Sequence, residues 1–154
     1  MARNPTIAST FLLANFVPFR LNRLADAVSQ DLSEIYRDRF GLDIPEWRVL
    51  VTVGQRSGCN AQHVAASTRM HKTRVSRAVA SLAKRKLVER VPCAQDGREL
   101  RLRLTKAGRG VYGVLVPLAL ERERALLAKM SAVNSQGFIA ALSQLEAALG
   151  LDET

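Results

Sequence analysis

Apolar residues recur at every third or fourth position through the first half of the chain, which is the spacing of one face of an α-helix. This spacing predicts a helix from Pro18 to about Phe40. A second helix, from Ile44 to Gly54, is apolar on nearly every side and should therefore be buried. Shorter helices are predicted from Ala61 to Ser67 and from Lys72 to Lys86, the last with one apolar and one basic face.

Beyond Lys86 the period changes from helical to alternating. Val88–Val91 is one short predicted strand, the breaker-rich segment Pro92–Gly97 follows it, and Leu100–Leu104 alternates apolar and polar residues as a second strand. This arrangement predicts a β-hairpin.

Two further helices are predicted after the hairpin. Thr105 can cap a long helix to about Lys129, kinked at Pro117, and an amphipathic helix runs from Ser135 to Leu149. The fold class is therefore mainly α with a small β-wing. The predicted domains are a first segment and dimerisation helix over 1–40, a winged helix-turn-helix lobe over 41–105, and dimerisation helices over 106–154.

Composition supports a folded chain. Its 154 residues are 47% hydrophobic and 24% charged, so they can bury a core, and no apolar run is long enough to span a membrane. The first residues do not resemble a signal peptide, and we expect a cytoplasmic protein. The two cysteines and two histidines form no metal-ligand pattern, and no catalytic constellation emerges, so we expect neither a metal, a cofactor nor an enzyme.

The formal net charge of +9 is concentrated in one segment. Between Arg69 and Arg109 there are thirteen basic and three acidic residues, a net +10, which leaves −1 for the rest of the chain. Such a segment can bind a polyanion by neutralising phosphates, although a solvated basic helix would have the same composition.

The order of elements favours DNA binding. Two short helices joined by a tight turn, the second basic and followed at once by a cationic hairpin, form a winged helix-turn-helix, whose second helix fits the major groove. The candidate DNA contacts on this helix are Lys72, Thr73, Arg74, Ser76 and Arg77. An RNA-binding module is less favoured because Arg69 to Arg109 contains no aromatic residue, and a ligand-independent DNA-binding protein stays open.

The sequence also resembles the MarR (multiple antibiotic resistance) family of bacterial transcriptional regulators. The matching motifs are Pro45–Leu50, Thr73–Arg77, Leu87–Arg90, Asp96–Arg98 and Leu104–Gly108.

This resemblance implies a homodimer that binds double-stranded DNA and uses the wing residues Arg98 and Arg101 as further contacts. It also implies that Asp96 stabilises the wing, although an ordinary turn residue would fit there too. Lys86 stands where the family commonly has glycine, so it must either adopt a left-handed conformation or end the helix differently.

Family members commonly release DNA when a small acid binds, and similarity around Pro18–Ala25 and Ile44–Leu50 favours a small aromatic carboxylate or its acyl-CoA thioester. Arg48 is the one charge on an otherwise apolar stretch, so it could face a ligand carboxylate, an ion-pair partner such as Asp26, Asp31 or Glu34, or solvent. The N-terminal phenylalanines, Phe11, Phe16 and Phe19, could equally be part of the dimer core. The candidate effector-binding residues are Phe19, Arg20, Arg23, Ser29, Trp47 and Arg48.

A redox-sensing regulator is the alternative interpretation. Cys59 precedes a predicted helix start and Cys93 lies in the basic wing, and both environments can lower the pKa of a thiol. Neither position matches the N-terminal cysteine of oxidant-sensing relatives.

Overall fold

The computed structural model describes residues 11–56, 58–93 and 100–151. A short 3-10 turn, Leu13–Asn15, precedes six helices and two strands. In chain order these are α1 (Val17–Phe40), α2 (Ile44–Gly54), α3 (Ala61–Thr68), α4 (Lys72–Lys84), β1 (Val88–Pro92), β2 (Leu100–Leu104), α5 (Lys106–Leu127) and α6 (Ala132–Ala148). The predicted fold class, mainly helical with a two-stranded wing, is confirmed.

Helices α2, α3 and α4 pack with the two strands around one apolar core. As its pattern predicts, α2 is buried, with Val49, Leu50 and Val53 almost inaccessible to solvent. The apolar face of α4 meets it through four buried residues, Val75, Ala78, Val79 and Leu82. We call residues 41–105 the winged lobe.

The wing is an antiparallel hairpin with an isolated β-bridge beside it. Val88 pairs with Leu104 and Pro92 with Leu100. On the other side of β2, Cys59 exchanges two backbone hydrogen bonds with Leu102, at 3.3 and 2.7 Å. The loop between α2 and α3 therefore anchors the base of the wing.

The winged lobe joins the long helix α5 at a close backbone contact. The Thr105 hydroxyl donates to the Lys86 carbonyl at 2.6 Å, and it also accepts the N–H of Gly108 at 3.0 Å as the cap of α5. A Cβ at Gly108 would lie 1.9 Å from the carbonyl oxygen of Leu87, so only glycine fits there. This joint fixes where α5 leaves the lobe.

We call α1, α5 and α6 the scaffold helices, and polar contacts join the first two of them. Arg122 of α5 donates to both carboxylate oxygens of Asp31 on α1, at 2.7 and 2.8 Å, and reaches Glu34 at 3.3 Å. None of the α6 residues, all of which are described, is buried. No helix in the described ranges has the length and apolar character needed to cross a bilayer.

Three helix ends differ from their predicted positions by two residues or more. The last helix begins at Ala132 rather than Ser135, because Ser131 caps it by accepting the N–H of Asn134. Helix α5 continues through Pro117 and ends at Leu127. Helix α4 ends at Lys84, two residues early, because the chain turns at Arg85 and Lys86.

Lys86 adopts the first of the two conformations that its sequence position allows. Its φ is 57°, in the left-handed region that glycine usually occupies. The backbone N–H of Lys86 donates to Ala83 at 2.9 Å, and its carbonyl accepts from Thr105. These bonds hold a non-glycine residue in a conformation that costs about 1 kcal/mol.

Candidate nucleic-acid interface

Helix α4 presents a continuous polar and basic face to solvent. All five predicted contact residues on it, Lys72, Thr73, Arg74, Ser76 and Arg77, are exposed. The opposite face is buried in the lobe core, so helical geometry aims the two arginines outward. An exposed helix with this charge has the dimensions and donors to enter a major groove.

The start of α4 is fixed by the turn that precedes it. Arg69 ends α3 in a left-handed conformation with φ of 56°, and Met70 is buried beside it. His71 caps α4 by accepting the N–H of Thr73 on its Nδ1 at 3.3 Å. The turn thereby sets the direction in which the first residues of α4 point.

The C-terminal half of α4 is held by Glu46, a buried carboxylate at the start of α2. One oxygen of Glu46 accepts the Ser81 hydroxyl, and the other accepts the backbone N–H of Asp43 at 2.9 Å. Asp43 in turn accepts the N–H of Glu46 at 2.8 Å, which completes a capping box. One side chain therefore starts α2 and fastens α4 to it.

Arg85 extends this junction to the scaffold. Its guanidinium lies 3.8 Å from Glu46 and donates to the carbonyls of Phe40 and Gly41 at the end of α1, the latter at 3.2 Å. We call Glu46, Ser81 and Arg85 the polar junction. The Asp43-x-x-Glu46 spacing is a capping-box signal in the sequence, but nothing in the sequence indicates that Glu46 also reaches Ser81 and Arg85.

The wing adds exposed cations to the same lobe. Arg101 is exposed on β2. Arg103 forms a cross-strand pair with Glu89, in which its Nε and one terminal nitrogen each lie 3.1 Å from the same carboxylate oxygen. The predicted DNA contact Arg98 and the predicted wing-stabilising residue Asp96 lie outside the described residues. Arg101 on β2 and Arg90 on β1 are therefore exposed wing cations that form no ion pair with a carboxylate among the described residues.

The predicted effector-binding residues fall into two separate groups. At the start of α1, the Arg23 guanidinium lies 5.7 Å from the ring centre of Phe19. Arg20 and Arg23 line a cavity of about 500 Å³ that Phe138 of α6 closes from the other side. Ser29 is half-buried two turns or more further along α1. The aromatic and cationic groups of this set do come together.

Trp47 and Arg48 belong to α2 and lie beside the C-terminal end of α1. The Trp47 ring stacks on Tyr36 with centroids 5.1 Å apart and planes within 7°. Tyr36 is seventeen residues after Phe19 on the same helix, so about 25 Å of helix separates the two groups. Within one protomer they do not line a common cavity.

Arg48 is half-buried beside Tyr36. Burial raises the pKa of Tyr36 to about 12, and the nearby Arg48 charge opposes that rise. Asp31 and Glu34, two of the ion-pair partners considered for Arg48, bind Arg122 instead. Within the described ranges Arg48 forms no ion pair with any carboxylate.

The two cysteines have environments that disfavour redox sensing. Both are buried, and burial raises the pKa of the Cys59 thiol, which lowers its thiolate fraction. They flank opposite sides of β2, so about two strand spacings, roughly 10 Å, separate them laterally. This separation exceeds the Cα distance of about 7 Å that a disulfide tolerates. In the same described residues, no group of three or more His, Cys, Asp or Glu could hold a metal ion.

Similarity to known proteins agrees with this geometry. A sequence profile described as MarR family matches residues 40–99, from the end of α1 to the wing. No curated protein sequence matches significantly. Among solved structures, a MarR/EmrR family transcriptional regulator from Acinetobacter sp. ADP1 is 26% identical with a TM-score of 0.80, over 91% of this chain and 99% of that one.

Two further structures share the fold at lower identity. CouR from Rhodococcus jostii RHA1, bound to p-coumaroyl-CoA, is 20% identical with a TM-score of 0.75, over 88% of this chain and 95% of its own. BpsR from Bordetella bronchiseptica, whose DNA binding is regulated by 6-hydroxynicotinic acid, is 18% identical with a TM-score of 0.77, over 88% and 96%. Residues 40–99 thus match the MarR family, and the chain has the fold of a MarR-type winged-helix transcriptional regulator.

Proposed function

We propose that this protein is a repressor that binds a pseudo-palindromic DNA site as a homodimer and leaves it when a small aromatic acid, or the CoA thioester of one, binds. The observation that carries the DNA-binding part is the exposed basic face of α4, held in place by the core, the His71 cap and the polar junction. Each α4 would enter one major groove, with half-sites about one helical turn apart.

The dimer is supported by apolar surface on the scaffold helices. Fifteen of the sixteen exposed large hydrophobic side chains in the described residues lie outside the winged lobe, which contributes only Leu100. An apolar cleft of about 410 Å³ also separates α1 from α5 and α6. Surface of this kind is costly in water, so a second copy that covers it would stabilise both chains.

The effector class is supported by the residues at the two ends of α1 and by the ligands of two proteins of the same fold. Arg48 offers a half-buried cation beside stacked aromatic rings, which suits an aromatic carboxylate. CouR is bound to p-coumaroyl-CoA and BpsR responds to 6-hydroxynicotinic acid, both aromatic.

The DNA-binding proposal is tested with a duplex selected from a random pool by the wild-type protein. We expect Arg74→Ala and Arg77→Ala each to lose about 1–3 kcal/mol of discrimination between this duplex and a scrambled one. Arg124→Ala, which removes an exposed arginine from α5, is the matched control. Mobility shifts across a salt series provide the measurement, and unchanged discrimination in both α4 variants would contradict the assignment.

The effector proposal is tested by a thermal-shift screen of aromatic acids and their CoA thioesters, since a ligand of the native state raises its melting temperature. A hit should release the selected duplex, and Arg48→Ala should raise the concentration needed by about tenfold or more while leaving DNA affinity intact. Release of the mutant at the wild-type concentration would remove Arg48 from the site. Failure of every compound to release DNA would favour a ligand-independent DNA-binding protein.

A further inference from the structure

A polar cavity of about 620 Å³ lies between the winged lobe and the end of α6, away from every residue assigned above to the effector. Its walls come from the C-terminal end of α2, from α3 and from the residues that follow α6. The side chains that give it its chemical character are Thr52, Gln55, Arg56, His63, Arg69 and Glu146. Its volume falls within the range of about 300–1,000 Å³ that is typical of small-molecule sites.

A second cavity, of about 200 Å³, adjoins the first and shares Arg56 and His63 with it. It is bounded by Arg101 on the wing and by Gly58 and Asn60. We call the two together the cationic groove. Three guanidinium groups and one imidazole border it, against a single carboxylate, Glu146, among the described residues that line it.

The donors of this groove suit phosphate. Each guanidinium offers five N–H groups in a planar fork that matches the oxygens of a phosphate or carboxylate, and Gln55 adds a carboxamide. Arg69 and Arg101 form no ion pair with any described carboxylate, so neither charge is neutralised by the protein in the described ranges. Three guanidinium groups around one opening favour a ligand that carries more than one negative charge.

The position of the groove favours a small ligand over the DNA backbone. Gly150 and Leu151, together with Glu146, close one side of the larger cavity, so the scaffold forms a wall there. A recess of this volume that is closed on one side has the form of a small-molecule site.

We propose that the cationic groove binds an organic phosphate of about mononucleotide size, with its phosphates on Arg56, Arg69 and Arg101. Because the winged lobe and the end of α6 both line it, a bound anion couples the orientation of the lobe to the scaffold. Arg101 is also a predicted DNA contact, so occupancy of the groove opposes DNA binding. This phosphate site is independent of the proposed aromatic effector, so each of the two proposals can be tested without the other.

The test uses the purified full chain and two probes, pyrophosphate and adenosine 5′-diphosphate, titrated by isothermal calorimetry at constant ionic strength. We expect one saturable site per chain for adenosine 5′-diphosphate in the wild type. The double variant Arg56→Gln/Arg69→Gln should weaken it by about tenfold or more per arginine removed, because each loses charge-assisted hydrogen bonds. Both residues are exposed, and circular dichroism checks that the variant is folded.

The charge-matched control is Arg74→Gln/Arg77→Gln, which removes the same two charges from α4. This control should bind adenosine 5′-diphosphate as the wild type does. Equal weakening in both double variants would mean diffuse attraction to a basic protein and would overturn the proposal. No saturable binding to the wild type would overturn it as well. Loss of DNA affinity in the groove variant with unchanged nucleotide binding would make the groove a DNA-phosphate contact instead.

Discussion

The winged lobe and the scaffold helices differ in how much of their apolar surface one chain buries. In the lobe, every helix contributes side chains to one core, and residues such as Val49, Leu50, Val64 and Leu82 have no measurable exposure. In the scaffold, α6 buries nothing and α1 buries only Ser33 and Tyr36. The lobe core is therefore closed within one chain, with Tyr36 of α1 and Leu115 of α5 among its buried members, whereas much of the scaffold's apolar surface stays exposed.

The charge of the two regions follows the same division. The winged lobe, residues 41–105, has thirteen basic and five acidic residues, a net +8, while the rest of the chain has ten basic and nine acidic residues, a net +1. An apolar, nearly neutral scaffold can meet a second copy without strong repulsion, and two basic lobes can then face one polyanion. This division suits the two partners proposed above, a second copy for the scaffold and DNA for the lobe.

The largest expected effect tests the joint between the two regions. Gly108→Ala places a methyl group against the Leu87 carbonyl, so α5 must shift or lose its cap, at a cost of about 3 kcal/mol or more. The matched control, Gly110→Ala in the same helix, meets no atom within 4 Å and should be stabilising by about 0.5–1 kcal/mol. Urea denaturation measures both, and equal stabilities would mean that the joint is not close-packed.

The next effect concerns the polar junction. Glu46→Ala removes the partner of Ser81 and Arg85 and the second half of the α2 capping box, for a cost of about 2–3 kcal/mol. Glu89→Ala, which breaks an exposed cross-strand pair, should cost less than about 1 kcal/mol. Chemical denaturation compares them. A Glu46 variant as stable as the Glu89 variant would show that the junction is dispensable to the lobe.

The proposed scaffold interface is tested by charging its surface. Leu120→Glu and Ile139→Glu, which alter side chains about half exposed in one chain, should raise the dimer dissociation constant about tenfold or more, since each buries a carboxylate at the interface. Leu100→Glu, at 52% exposure on the wing, is the control and should leave it unchanged. Sedimentation velocity distinguishes the species, and dimers of equal strength would place the interface elsewhere.

The smallest effect is a pH dependence within the scaffold. Hydrogen bonding from Arg122 holds the pKa of Asp31 below its usual value of 3.8. A carboxyl whose pKa is lowered by folding stabilises the fold above the unfolded pKa and loses this contribution as pH falls through the folded pKa. The stability difference between the wild type and Asp31→Asn should therefore be present at pH 7 and shrink below about pH 3.8. Thermal unfolding at both pH values measures it, and a constant difference would contradict the pairing.

The elements that sequence patterning predicts well are those with strong local periodicity. The buried face of α4 follows from the spacing of Val75, Val79 and Leu82, and the exposure of Arg74 and Arg77 follows from the same spacing. Periodicity is weaker at helix ends, where single hydrogen bonds decide. Ser131 begins α6 three residues early by capping it, and no apolar repeat marks that position.

Sites that depend on residues distant in sequence could not be predicted in the same way. The polar junction joins Glu46 to Ser81 across thirty-five positions, and Arg122 reaches Asp31 across ninety-one. The predicted effector-binding residues show the opposite error, in which residues grouped by their chemistry lie far apart in the structure. Phe19 and Trp47 are both aromatic residues near arginines, yet most of the length of α1 separates them in space.

The sequence by itself determined the helices and the wing, the basic face of α4 and the uneven distribution of charge, because periodicity and net charge are local or additive properties of the chain. Only the tertiary structure decided that Gly108 must be glycine, that Cys59 is buried and bridged to Leu102, and that Arg56, Arg69 and Arg101 border one groove. These facts depend on which backbones and side chains meet, and packing of the whole chain sets those contacts.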